Sequence, residues 1–107
     1  NTKFSILDMV VDLPNVQSIV FKEQEGSFLV GALAAMKSET GKVGFVGGMD
    51  IPLIRRFACG YVQGVKHINP GATVFQKMTG TTPAAWNDPA PGGELAKSMY
   101  DDGADIV

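Results

Sequence analysis

An α/β fold, built on a parallel sheet with helices on both faces, is predicted by three features of this 107-residue chain. Strand-like and helix-like patterns alternate along it, as expected of parallel strands joined by right-handed crossovers. The apolar run at residues 43–46 passes through Gly47-Gly48 to a helix start at Asp50-Ile51-Pro52. The helical pattern that follows repeats apolar residues at three- and four-residue spacing for several turns.

Taken in order, residues 4–7 (Phe-Ser-Ile-Leu) read as a strand ending at Asp8. Pro14-Asn15 marks a turn, and residues 16–21 read as a second short strand. Residues 25–37 predict a helix with Phe28, Leu29, Ala32, Leu33 and Met36 on its core face. Lys37 suits the negative end of that helix, and Gly41 follows as a stop. Residues 43–46 are a buried strand, and the Gly47-Gly48 turn lies at its carboxyl end, where ligands of parallel sheets settle. Asp50 is expected to cap the next helix, and Pro52 fits its first turn. A plain βα turn without a ligand fits the same residues. Neither GxxxxGK[ST] nor GxGxxG is present, so this is not a phosphate loop.

The second helix is expected over residues 51–68, with Ile54, Phe57, Ala58, Tyr61, Val65 and Ile68 at core spacing. Gly60 and Gly64 lie four apart on it and are expected to allow close packing on the sheet, since glycine otherwise costs about 1 kcal/mol in a helix. Asn69-Pro70-Gly71 ends the helix, and residues 73–78 form the next strand. Residues 79–91 read as a long polar loop with three prolines and Trp86. A shorter helix from Glu94 to Tyr100 or Asp101 follows, with Gly103 after its end, and Ala104 opens another strand.

Composition narrows the function. Hydrophobic content of 45% is that of a globular chain. Net charge is −2 with Lys and Arg scattered, so no basic face for nucleic acid is indicated. No apolar run approaches the roughly 20 residues that span a bilayer. One cysteine, Cys59, excludes an intrachain disulfide; its apolar neighbours predict a buried, inert thiol without a metal or nucleophilic role. GxSxG, HExxH and a dinucleotide fingerprint are all missing, which argues against an enzyme. No catalytic residue, metal or cofactor is assigned.

The candidate binding residues are Asp8, Gly48, Met49 and Asp50. A carboxylate at the end of a strand can accept two hydroxyl hydrogen bonds, which suits the 2′,3′-diol of a ribose. The position of Asp8 also fits a solvated turn residue, and Asp12 is a weaker rival. Met49 offers a thioether to an aromatic base or fills core space. Gly48 can offer its N–H or its Cα face, while Asp50 reads more as a cap than as a ligand contact. Arg55 and Arg56 point to different sides of their helix, one toward Asp50 or Asp88 and the other to solvent. His67 sits at a helix end that favours a cation. Trp86 is a stacking platform or, by the plainer reading, an anchor for its loop.

Several motifs resemble one family throughout the chain. Phe21-Lys22-Glu23-Gln24-Glu25-Gly26-Ser27-Phe28-Leu29-Val30-Gly31 and Gly41 to Pro52 are similar to the basic membrane proteins. So are Ile54-Arg55-Arg56-Phe57, Gly60-Tyr61, Gly64-Val65-Lys66, Trp86-Asn87-Asp88-Pro89 and Tyr100-Asp101-Asp102-Gly103-Ala104-Asp105. These are substrate-binding lipoproteins of bacterial ABC transporters, including purine nucleoside receptors. The resemblance implies a fold like the type I periplasmic binding proteins, two lobes closing on a ligand, and no catalysis. It further implies a sugar-contacting carboxylate at Asp8, permease subunits as partners, and a place in the cell envelope. A lipid anchor would lie before this chain, since Cys59 is too deep to be it.

Two lobes of typical size need about 250 to 300 residues. The chain is therefore expected to be a middle fragment, with residues 1–22 ending the first lobe and residues 23–107 opening the second. The hinge is placed between Phe21 and Glu25, where a strand ends and a helix begins without a tight turn. A single unbroken domain is the alternative there. For function, the alternatives are a nucleoside-acting α/β enzyme and a ligand-regulated sensor domain that uses the receptor fold.

Overall fold

The computed structural model describes residues 2–107. Two parallel pairs of strands form two separate sheets. The first pairs β1 (Phe4–Leu7) with β2 (Val16–Ile19), Phe4 opposite Val16 and Leu7 opposite Ile19. Parallel neighbours usually need a crossover of a dozen residues or more. Here a shorter connection suffices because it folds on itself: the Leu13 N–H donates to Val11 O, and Ser18 Oγ accepts the Val11 N–H at 2.9 Å.

The second sheet pairs β3 (Lys42–Met49) with β4 (Thr73–Gly80). A third strand position opens at Ile106, which bridges to Val43 in parallel. Helix α2 (Pro52–Ile68) covers one face through Tyr61 and Val65, which bury with Ala34, Val43 and Ala72. Helix α3 (Pro89–Asp101) covers the other face, its fully buried Met99 lying under Gly44. Helices therefore flank both faces of a parallel sheet, as predicted.

Helix α1 (Glu23–Lys37) departs from its predicted packing. Its buried positions are Glu23, Ser27, Gly31 and Ala34, while Leu29, Val30, Leu33 and Met36 are exposed. The reason lies in α2. A side-chain carbon at Gly31 would run into the Tyr61 carbonyl, and one at Gly60 or Gly64 into the backbone of Gln24 or of Phe28 and Ala32. Small residues on both helices let the backbones touch, so Gly60 and Gly64 serve the contact with α1 and not the sheet.

Other boundaries shift for local reasons. β3 runs through Gly47 and Gly48 to Met49 without a glycine turn, and neither glycine has a positive φ. α2 starts at Pro52 after Ile51, and Asp50 makes no capping bond. The expected loop at 79–91 is the end of β4, a 3₁₀ turn (Pro83–Asn87) and the first turn of α3. Prolines at 89 and 91 fit there, because the first turn of a helix needs no N–H donors. Cys59 is exposed on α2 and not buried. Gly103 does follow α3 in the left-handed region, at φ 95°.

The molecule is elongated, 57 × 30 × 16 Å, with a radius of gyration of 16.3 Å, against about 13 Å for a compact chain of this length. Its accessible surface is 7081 Å², where a self-contained globule of this mass would show about 5,700 Å². The excess follows from two places. None of residues 2–22 is buried, and α1 turns its large apolar side chains outward.

Candidate functional site

The carboxyl ends of the strands carry the predicted site residues. Asp8 ends β1, and its N–H donates to Ile19 O at 2.9 Å, which closes the β1–β2 pair at that end. It is the only non-glycine residue with positive φ among the described residues, at 61°. Aspartate tolerates this conformation better than most residues, though it stays uncommon and concentrates where a side chain must be aimed. The carboxylate has no hydrogen-bond partner among the described residues.

Asp8 borders a hollow of about 870 Å³. The rest of its lining includes Phe21 and Lys22 in the link between β2 and α1, α1 from Glu23 to Ala34, β3 from Gly44 to Val46, Phe57 and Tyr61 of α2, and Ile106 and Val107. The wall is mainly apolar and aromatic. The Tyr61 and Phe45 rings meet at 5.8 Å, and burial raises the Tyr61 hydroxyl above the usual tyrosine value. A carboxylate beside an apolar, aromatic wall offers hydrogen-bond acceptance on one side and ring contact on the other.

The end of β3 is built differently. Arg55 donates Nε to Asp50 Oδ1 at 2.7 Å and Nη2 to Oδ2 at 3.0 Å, a two-pronged ion pair. That hydrogen bonding, with the charge of the guanidinium, holds the Asp50 carboxyl below its ordinary value and raises Arg55. Asp50 is thus a paired carboxylate and not a helix cap; one of the two arginines reaches it as expected, but the other, Arg56, expected in solvent, pairs with Glu23. Met49 is half-buried within β3, opposite Gly80. The six-membered ring of Trp86 lies where a side chain at Gly48 would be, so that face of Gly48 is covered. Thr79 Oγ is within hydrogen-bond distance of Gly48 O (3.1 Å) and Ala85 O (3.0 Å), which fastens the 3₁₀ turn to the strand end. Trp86 anchors its segment, as the plainer expectation had it, while keeping 52% of its surface exposed.

Asp8 and the Gly48–Asp50 segment do not share a cavity. Asp50 borders a second hollow of about 450 Å³ with Arg55 and Met78, and Asp8 stands apart in the first. Of the two residues expected at a hinge, Phe21 lies in the short link between β2 and α1, but Glu25 belongs to the first turn of α1, bonded to Lys22 at 3.0 Å. The helix begins two residues earlier than expected.

Two acidic residues escaped the sequence reading. Asp105 accepts Ser38 Oγ at 2.7 Å and the N–H groups of Glu39 (2.6 Å) and Thr40 (2.9 Å). These bonds, that of Ser38 foremost, bring its carboxyl down to about 2. It ties the third strand position to the loop between α1 and β3. Glu23 is buried against Arg56. Its own main-chain N–H first, and then Arg56, hold its carboxyl below the ordinary value. The signal for Glu23 was present: Glu23, Ser27 and Gly31 are spaced four apart, a stripe that apolar counting passes over. Among the described residues, no group of three or more His, Cys, Asp or Glu is placed to hold a metal, and no helix is long and apolar enough to cross a membrane.

Comparison with known proteins adds an independent line. The family model described as "ABC transporter substrate-binding protein PnrA-like" matches residues 1–107. A "CD4+ T-cell-stimulating antigen" of Listeria monocytogenes is 40% identical over 106 residues, covering 98% of this chain and 29% of that protein. An "ABC transporter nucleoside-binding protein BmpA" of Lactococcus lactis is 37% identical over 107 residues, covering 99% and 29%. Among solved structures, an ABC transporter solute-binding protein of Aeropyrum pernix superposes with a TM-score of 0.81 at 34% identity, over 95% of this chain and 30% of that one. The chain thus spans about 30% of the length of the proteins it matches.

Proposed function

Because the chain belongs to the PnrA-like family of ABC transporter substrate-binding proteins, we propose that it forms part of a receptor for a purine nucleoside. The family is one of transport receptors and not of enzymes, so the chemistry to be explained is recognition. In this reading residues up to about 22 close the first lobe, residues from about 23 open the second, and the ligand lies between them. The name of the Lactococcus relative supports the nucleoside class.

One observation carries the reading. Asp8 holds a carboxylate with no hydrogen-bond partner among the described residues at the end of β1, in a left-handed conformation, on the rim of an apolar hollow lined mainly by α1, α2 and the second sheet. A ribose diol can donate two bonds to that carboxylate, and charge-assisted bonds of this kind discriminate against ligands without the hydroxyls. The base then meets apolar and aromatic wall. Gly48, Met49 and Asp50 would contribute from the second lobe once the lobes close. Closure would bury the ligand and present a surface to a membrane permease. The full protein would sit in the cell envelope, held to the membrane by an N-terminal lipid.

Labelled purine nucleosides mixed with the full-length protein test this. Saturable binding with chemically unchanged ligand on recovery is expected. Conversion to product, or no binding of any nucleoside, would overturn it.

A further inference from the structure

Glu23 is the only buried charged residue among the described residues. Its side chain is 3% exposed, although it opens α1 directly after Val20, Phe21 and Lys22, the whole link from β2. A carboxylate removed from water requires a partner. Arg56 supplies it across the helix pair, donating Nε to Oε2 and Nη2 to Oε1, each at 3.4 Å. The preceding residue, Arg55, grips Asp50 in the same two-pronged way. Successive residues on a helix project about 100° apart. One turn of α2 therefore reaches two different connections, the exit of β3 and the entry of α1.

We propose that Glu23 and Arg56 form a positioning clamp. The pair pins the first turn of α1 to α2, so that movement between the two sheet units is confined to Val20, Phe21 and Lys22. This inference rests on the two-lobe reading and adds where the pivot lies and what fixes it. Without the clamp, the first turn of α1 is the weak point, since no side chain caps its N-terminus. The other ion pair in that turn, Lys22 with Glu25, is exposed at both ends and holds little. A helix start that frays would give the lobes several relative orientations. Ligand affinity would then fall with the fraction that is competent to close.

Hydrogen exchange on the ligand-free full-length protein reads the clamp directly, with Glu25→Gln as the control in the same turn. In Glu23→Gln the amides of Gly26 and Ser27 are expected to exchange about ten-fold faster or more, and trypsin to cut after Lys22 faster. Arg56→Lys, which keeps the charge but loses the fork, should fall between. Glu25→Gln should match the parent. In a second arm, nucleoside affinity should drop about five-fold in Glu23→Gln and recover partly in Arg56→Lys. Unchanged exchange in Glu23→Gln overturns the clamp. Faster exchange with unchanged affinity overturns its positioning role. If the parent protein binds no purine nucleoside, the receptor reading fails, and the exchange arm alone still decides whether the clamp exists.

Discussion

Helices α1 and α2 have similar lengths, 15 and 17 residues, and both carry an apolar repeat, yet they bury opposite kinds of side chain. α2 buries Ala58, Tyr61 and Val65 of its predicted core face, while Phe57 and Ile68 of that face stay exposed. α1 buries Glu23, Ser27, Gly31 and Ala34 and leaves Leu29, Leu33 and Met36 outside. The difference lies in the partner. A sheet offers a broad surface that large side chains fill, while a glycine-bearing helix offers a groove that only another backbone fills. Apolar periodicity finds the first kind of contact and is blind to the second.

The sharpest way to break this comparison is to block the groove. Gly64→Val puts a side chain against the Phe28 carbonyl and the Ala32 amide, neither of which can yield without moving α1. A loss of about 3 kcal/mol is expected in urea unfolding of the full-length protein. A loss under about 1 kcal/mol would place α1 elsewhere.

The connection after α1 gives a second test, through acid. Asp105 titrates at about 2 in the folded chain, below its ordinary 3.8. Its stabilisation is therefore complete above pH ~5 and is lost as pH falls toward 2. Glu23 and Asp50 are also lowered and act in the same direction. Asp105→Ala should flatten the acid limb of the stability curve between about pH 4 and 2. An unchanged limb would mean that the Ser38–Thr40 loop is held by something else.

The smallest effect concerns the two faces themselves. Met36 is 67% exposed and Met99 is 2% exposed. In the 107-residue chain, mild peroxide should oxidise Met36 at least about ten-fold faster than Met99. In the full-length protein, protection of Met36 would show that further polypeptide covers the outer face of α1, as the rarity of such open stripes on soluble proteins suggests. Equal rates in the short chain would contradict the orientation of α1.

Much of this architecture was legible because its signals are local. The Phe-Ser-Ile-Leu strand coincides with β1, Asn69-Pro70-Gly71 ends α2, and Gly103 takes the left-handed turn after α3. Where reading failed, the deciding partner lay far along the chain. Glu23 finds Arg56 at a separation of 33 residues, and Ser38 finds Asp105 at 67. Gly48 looked like an open turn because nothing nearby announced that Trp86 would cover it. The place of Asp8 at a strand end fits a turn residue equally well and only the family resemblance favours it as a binding residue, while its left-handed backbone and its position on the rim of the hollow are visible only in the folded chain.

The role proposed for Asp8 is to accept the sugar hydroxyls of a nucleoside held between two lobes. Calorimetric titration of the full-length protein and its Asp8→Ala variant with a purine ribonucleoside tests it most directly. Losing charge-assisted hydrogen bonds removes about 1.5 to 3 kcal/mol, so affinity should fall at least about ten-fold, with the melting temperature of the ligand-free protein preserved. Equal affinity in the two proteins would make Asp8 a turn residue only and would contradict this account of the site.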